Sequence, residues 1–168
     1  MPHFVDREDS GRKASVLGFA NQHIVVGLLM KKYSNVSLVD LPLSSYDLIL
    51  VVKKGGKEDF IRIQVKTAKT SVKFTGGTRG GVDRNYNSGV NISKEYIQST
   101  ETSDVVCGIH ENEDGTHDLY FVPTILIEKM GKKSISLPRI QRLKEIDFLE
   151  NCKDRKWVLE KAEEIGLI

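Results

Sequence analysis

Asp47, Gln64 and Lys66 are the residues of this chain whose types and spacing could carry out chemistry. Asp47 stands near the start of an apolar, strand-like run, Tyr46-Asp47-Leu48-Ile49-Leu50. Gln64 and Lys66 lie in a second run, Ile63-Gln64-Val65-Lys66-Thr67-Ala68, and the turn-rich tract Lys53-Lys54-Gly55-Gly56-Lys57-Glu58-Asp59 joins the two. Alternation with period two puts Gln64 and Lys66 on one face and Ile61, Ile63 and Val65 on the other. An acid, an amide and a lysine thus converge across a hairpin whose other positions are almost all apolar. A carboxylate and an ammonium beside a core are costly unless they pair or bind something. The set suits phosphodiester cleavage: the carboxylate holds a divalent metal, and the lysine neutralises charge on the attacked phosphate or helps activate water. The competing structural reading is an Asp47–Lys66 ion pair across the hairpin, with Gln64 satisfying backbone groups at a sheet edge.

Other elements must position this hairpin. Residues 11–32 read as an amphipathic helix capped by Ser10, with Val16, Leu17, Ala20, Ile24, Leu28 and Met30 or Lys31 at helical spacing. Gly18 and Gly27 within it would permit close approach to a sheet. A strand over 36–41 stops at Pro42, and the hairpin strands follow at 46–52 and 60–67. Residues 70–88 are rich in Gly, Thr, Asn and Arg, and only 72–74 resemble strand. Ser93 can cap a short helix over 94–98. A second hairpin joins 104–110 to 118–122 across an Asp114-Gly115 turn, and Pro123 starts a helix reaching Met130. After a short strand at 135–137 the chain ends in helical text, with Trp157, Leu159, Ala162 and Ile165 as its buried face and Gly166 as its stop.

Composition bounds the possibilities. The chain has 168 residues, 29% charged and 39% hydrophobic, the profile of one globular domain with room for a core. No apolar run is long enough to cross a bilayer, the longest being 24–30, and the N-terminus lacks a hydrophobic signal region, so no membrane partner and a cytoplasmic location are expected. Cys107 and Cys152 lack metal-ligand spacing and read as reduced structural thiols. The glycine pairs at 76–77 and 80–81 lack the context of a phosphate-binding loop.

The net charge of +2 hides an uneven distribution. Residues 53–94 hold ten basic side chains (Lys53, Lys54, Lys57, Arg62, Lys66, Lys69, Lys73, Arg79, Arg84 and Lys94) against three acidic ones (Glu58, Asp59 and Asp83). Such a local excess would attract a phosphate backbone; a solvated lysine-rich loop is the alternative.

These residues resemble the PD-(D/E)XK nuclease superfamily, in particular its intron-endonuclease-like and Holliday-junction-resolvase-like members with an IQVKT signature. The resemblance runs through Gly18, Gln22, Val25 and Leu29 of the first helix, then Tyr46-Asp47-Leu48-Ile49, then Ile63-Gln64-Val65-Lys66-Thr67-Ala68, and on to Tyr120-Phe121-Val122-Pro123. It covers roughly residues 18–130. It implies a single α/β domain over 1–168: a restriction-endonuclease-like core at about 11–130, with a mixed central sheet flanked by helices, and a C-terminal helical extension at 139–168.

It also implies roles. Asp47 would be a metal-binding carboxylate, Gln64 would stand where the second acidic ligand usually lies, the Val65 carbonyl would face the metal, and Lys66 would be the catalytic lysine. Gln22 falls where many relatives supply a glutamate. The implied cofactor is Mg²⁺, with Mn²⁺ as a substitute, and the implied partners are duplex or branched DNA and, by analogy, a second copy of the chain. From the basic excess rather than the resemblance, Lys69, Lys73, Arg79 and Arg84 are expected to contact the DNA backbone. Two departures stand out: no proline precedes Asp47, and glutamine replaces both helper acids. The expectation is a metal-dependent DNA endonuclease; the alternative is an inactive nuclease fold that binds nucleic acid or a protein.

Overall fold

The computed structural model describes residues 3–41, 44–77 and 95–168, with side chains from residue 11 onward. At its centre is a five-stranded mixed sheet flanked by helices. Strands β1 (Val36–Leu38), β2 (Leu48–Lys54) and β3 (Lys57–Thr67) form an antiparallel meander. The expected first hairpin is present with a tighter turn. Lys54 pairs with Lys57, leaving Gly55 and Gly56 as a two-residue loop at φ 56° and 79°, a conformation that glycine adopts without a Cβ penalty.

The segment after β3 forms short strands β4 (Ser71–Lys73) and β5 (Thr75–Gly77), and the described chain resumes with β6 (Glu95–Ile97), which pairs antiparallel with β5. The helix expected over 94–98 is therefore a strand, because pairing with β5 outweighs a weak local helical signal. Strand β7 (Val105–Glu111) then enters the central sheet parallel to β3, and β8 (His117–Pro123) returns antiparallel beside it. The second hairpin and the helix after Pro123, α2 (Thr124–Met130), lie where the sequence places them. A short strand β9 (Ser134–Ser136) pairs with β4, and the rest is helical: a 3-10 segment Leu137–Lys144, α3 (Asp147–Glu150) and α4 (Arg155–Glu164).

One apolar cluster runs from Val25 through Leu48, Ile63 and Val106 to Phe148, Val158 and Leu167, so the C-terminal helical residues pack into the same core as the sheet. In α4 the fully buried positions are Val158 and Ala162, with Trp157, Leu159 and Ile165 half-buried beside them. Cys107 and Cys152 are buried free thiols.

Helix α1 (His3–Met30) departs from expectation. It begins well before Gly11, so Ser10 is not its cap. It buries Asn21, Val25 and Leu29, whereas Val16, Leu17 and Met30 of the expected core face are exposed. Nor do Gly18 and Gly27 serve close packing: a Cβ at either would meet nothing within 4 Å. Gly108 of β7 does serve it. A Cβ there would lie 2.5 Å from Val72 Cγ2, so strand β4 crosses β7 at a distance only glycine allows. Gly108→Ala is expected to destabilise the fold by about 1–3 kcal/mol through overpacking against a stiff valine. Val72→Ala in the same chain should recover part of that loss. Denaturant unfolding of the single and double variants measures the coupling, and purely additive losses would show that this contact is not the constraint.

Candidate active site

Asp47 occupies the point where β2 starts and β3 runs past it. Its backbone is held from both sides: its N–H donates to the Ile63 carbonyl at 2.8 Å, and its own carbonyl accepts from the Val39 N–H at 2.8 Å. Beyond Ile63 the β2 ladder has ended, so the N–H of Val65 needs another acceptor. The Asp47 carboxylate supplies it: Oδ2 accepts from the Val65 N–H at 2.8 Å and from Gln64 Nε2 at 2.7 Å. The same Gln64 nitrogen lies 3.3 Å from the Val65 carbonyl oxygen. Thus the structure brings Asp47, Gln64 and the Val65 main chain into one network.

Lys66 lies on the Gln64 face of β3 but does not pair with Asp47. Its Nζ donates to the Thr75 carbonyl oxygen at 2.9 Å, on the segment that crosses this face of the sheet. The ion pair that competed with a functional reading is therefore absent. Electrostatics records the result. Burial pushes the Asp47 carboxyl above its ordinary value, against the Val65 N–H and the Lys66 charge, which pull it down. Burial likewise pushes the Lys66 ammonium below its ordinary value, only partly offset by Asp47.

The remaining candidates separate. Gln22 is half-buried on α1 and makes no hydrogen bond to a described residue, so none joins it to Asp47, Gln64 or Lys66. Its neighbour Asn21 is the polar residue that ties α1 to β3, donating to Thr67 Oγ1 at 2.8 Å. Lys69 and Lys73 are exposed on the segment after β3. Arg79, Arg84 and Lys94 lie outside the described residues. Arg62, counted with the basic excess, is committed elsewhere: it binds both carboxylate oxygens of Asp104 and the carbonyls of Thr100 and Glu101. The Thr75 carbonyl and the Arg62–Asp104 pair had no signal in residue spacing, whereas Asn21 could have been found as a polar residue on a buried helical stripe.

Among the described residues no three His, Cys, Asp or Glu side chains gather as a metal site. The oxygens that could hold a hard cation are Asp47 Oδ1, which no described residue bonds, the Val65 carbonyl and the amide oxygen of Gln64 once its amide is turned over. This set fits an ion that keeps several waters and takes further oxygens from a phosphate, as Mg²⁺ does. The buried thiols offer no competing nucleophile. Burial raises Cys107 strongly and Cys152 to about 12, so both stay protonated at neutral pH.

Comparison with family models, with curated proteins and with solved structures finds no match to this chain.

Both charges at the site cost stability, and the sign can be worked out. The folded-state pKa of Asp47 lies above the unfolded value of 3.8, so its contribution is most favourable below that pH and declines as pH rises through the interval to the folded value. That of Lys66 lies below 10.5, so its penalty is in force at neutral pH and is relieved as pH rises towards 10.5. Asp47→Asn and Lys66→Met are each expected to raise stability at pH 7. The first should flatten the pH dependence on the acid side and the second on the alkaline side. Urea unfolding across that range checks this, and a loss of stability at pH 7 in both variants would refute it.

Proposed function

We propose that this chain is a metal-dependent DNA endonuclease of the PD-(D/E)XK type, in its D…QxK form, on a restriction-endonuclease-like core. The observation that carries the reading is that Asp47 and Lys66 share one small patch, both desolvated, and are not spent on each other. Perturbed groups of opposite charge that decline to pair mark a site kept for a ligand. The mixed sheet, with three antiparallel strands and a fourth parallel to the third, is compatible with the core the resemblance implies.

In this reading Asp47, the Val65 carbonyl and, with its amide turned over, Gln64 would hold Mg²⁺. When bound, that ion would supply Lewis-acid polarisation and a more acidic water. The chain's own residues do the rest. Asp47, fixed by the Val65 N–H, presents its free oxygen at a set position. Lys66, steadied by the Thr75 carbonyl, places an ammonium beside a backbone phosphate and offsets the charge that develops on its oxygens. Lys69 and Lys73 add sequence-independent attraction to the DNA backbone.

One observation favours the alternative, an inactive fold that binds nucleic acid or a protein. Gln64 directs its amide nitrogen at Asp47, and Asp47 is the one carboxylate in the network. The two readings part on cleavage. Asp47→Ala and Lys66→Ala are each expected to abolish Mg²⁺- or Mn²⁺-dependent nicking of plasmid or branched DNA, with DNA binding by Lys66→Ala largely kept. Gln64→Glu should tighten Mn²⁺ binding measured by calorimetry. A wild-type chain that fails to cleave whichever divalent ion is supplied but still binds DNA would establish the alternative.

The basic surface has its own test. Neutralising Lys69 and Lys73 together should weaken DNA binding about equally for different sequences. Each phosphate contact removed should lower the log–log salt slope by about 0.9. Anisotropy titrations at several salt concentrations read both effects, and an unchanged slope would move the DNA surface away from this segment.

A further inference from the structure

A cleft of about 530 Å³ lies at the end of the β1–β2–β3 meander opposite Asp47. β2 starts beside Asp47, and the cleft borders the last residues of that strand, 51–54, roughly 15–20 Å away along it. The segment after α1, Glu58 near the start of β3 and the end of α3 close its other sides. Three lysines border this single cavity: Lys32, Lys53 and Lys54. All three are exposed, and among the described residues none has a hydrogen-bond or ion-pair partner. Glu58 stands across the ladder from Lys53 in register, yet no ion pair joins them. The other acid, Glu150, is engaged, its Oε1 accepting from the Tyr33 hydroxyl at 2.7 Å. Burial and that bond push the Tyr33 phenol well above its ordinary value, so the ring stays neutral. Half-buried Val51 and Val52 add to the apolar wall. The side chains of Ser34 and Asn35 line the cleft without a hydrogen-bond partner among the described residues.

Each part of this lining answers a different part of one ligand. Three unpaired ammonium groups round one cavity repel one another and focus a field that suits a multiply charged anion. Lysine stems are flexible, so the three heads can close on the same phosphate. A phosphate alone would leave most of the cleft empty, and the volume is that of a site for a small organic molecule. The Tyr33 ring and the two valines offer a flat, apolar wall on which a base can lie. The free Asn35 amide carries a donor and an acceptor side by side, the pattern that matches a base edge. Glu58, left unpaired, is an acceptor for ribose hydroxyls. We propose that this cleft binds a nucleoside 5′-phosphate, with the phosphate on Lys32, Lys53 and Lys54 and the base against Tyr33, Val51 and Val52. This site is separate from Asp47 and Lys66, and it does not depend on the nuclease reading.

The test uses the full chain without divalent ion. AMP, GMP, CMP and UMP are titrated in turn, each beside its uncharged nucleoside, with calorimetry reading affinity and amide NMR reading position. At least one nucleotide is expected to shift the amides of residues 32–35, 51–54 and 150–151 and to bind about ten-fold or more tightly than its nucleoside. The Lys53→Ala, Lys54→Ala double variant, altered only at exposed positions, should lose about ten-fold in affinity. The Lys53→Arg, Lys54→Arg pair should keep most of the binding, and Lys156→Ala, an exposed lysine of α4, should leave it unchanged. The proposal is overturned if none of the four nucleotides moves these amides, if nucleosides bind as tightly as nucleotides, or if the double alanine variant binds as the wild type does. A 5′-phosphorylated oligonucleotide that moves the same amides and binds more tightly than every mononucleotide would overturn it too, making the cleft part of a nucleic-acid surface.

Discussion

The contact between Arg62 and Asp104 sets the geometry on which everything at the candidate site depends. β3 and β7 are parallel, so no tight turn can join them. The chain between them must leave the sheet, cross and return in register, at a considerable entropic cost. Asp104 fastens that return. Its Oδ2 accepts from the backbone N–H of Arg62 at 2.8 Å and from Nε at 3.2 Å, and its Oδ1 accepts from the guanidinium at 2.8 Å. The N–H of Asp104 donates back to the Arg62 carbonyl at 2.9 Å. The guanidinium also gathers the carbonyls of Thr100 and Glu101, so one side chain folds the turn that feeds β7. The ladder then starts one residue on, at Ile63 against Val105, and runs to Thr67. A forked arginine is suited to this task, because its planar donors match a carboxylate and leave others for carbonyls. Asp104 is 10% exposed and Arg62 30%, so removing either would strand a partly desolvated charge.

From that register the site follows. Gln64 and Lys66 fall opposite Val106 and Gly108 on the face away from Ile63 and Val65. Because residue 108 is glycine, β4 can press against the sheet there, and the chain continues from β4 to Thr75, whose carbonyl holds Lys66. On the other side of β3, Asn21 bonds Thr67 and sets the height of α1. Three contacts far apart in sequence thus fix one strand from three directions, which allows the side chains of Gln64 and Lys66 to be positioned without a bond to each other.

Legibility in the sequence followed the range of the forces involved. The β2–β3 hairpin was readable because its alternation and its Gly55-Gly56 turn are local, and the convergence of Asp47 with Gln64 came with it. So did the β7–β8 hairpin and the helix after Pro123. Helix α1 was misread because its apolar residues lie on two opposite faces: Val16 and Leu17 suggested one stripe and Val25 and Leu29 pack on another, and spacing alone does not say which meets the sheet. Residues 95–97 were misread because only pairing with β5 makes them a strand. The partners of Lys66 and Arg62 were not legible at all. One is a backbone carbonyl, which any residue type could provide, and the other is an aspartate 42 positions away.

The separate tethering of Asp47 and Lys66 bears directly on what the site can receive. Had the ammonium met the carboxylate, each would have cancelled the other's field, and a ligand would first have to break the pair. Instead each charge rests on neutral dipoles, Asp47 on the Val65 N–H and the Gln64 amide, Lys66 on the Thr75 carbonyl. Such dipoles stabilise a buried charge less than an opposite charge would, which is why burial dominates both shifts. A ligand that carries both signs at short range, an anion accompanied by a cation, relieves both deficits at once. A lone anion relieves only Lys66 and is repelled by Asp47; a lone cation does the reverse. In the proposed nuclease reading, a phosphate with its own divalent ion is the simplest species with that pattern.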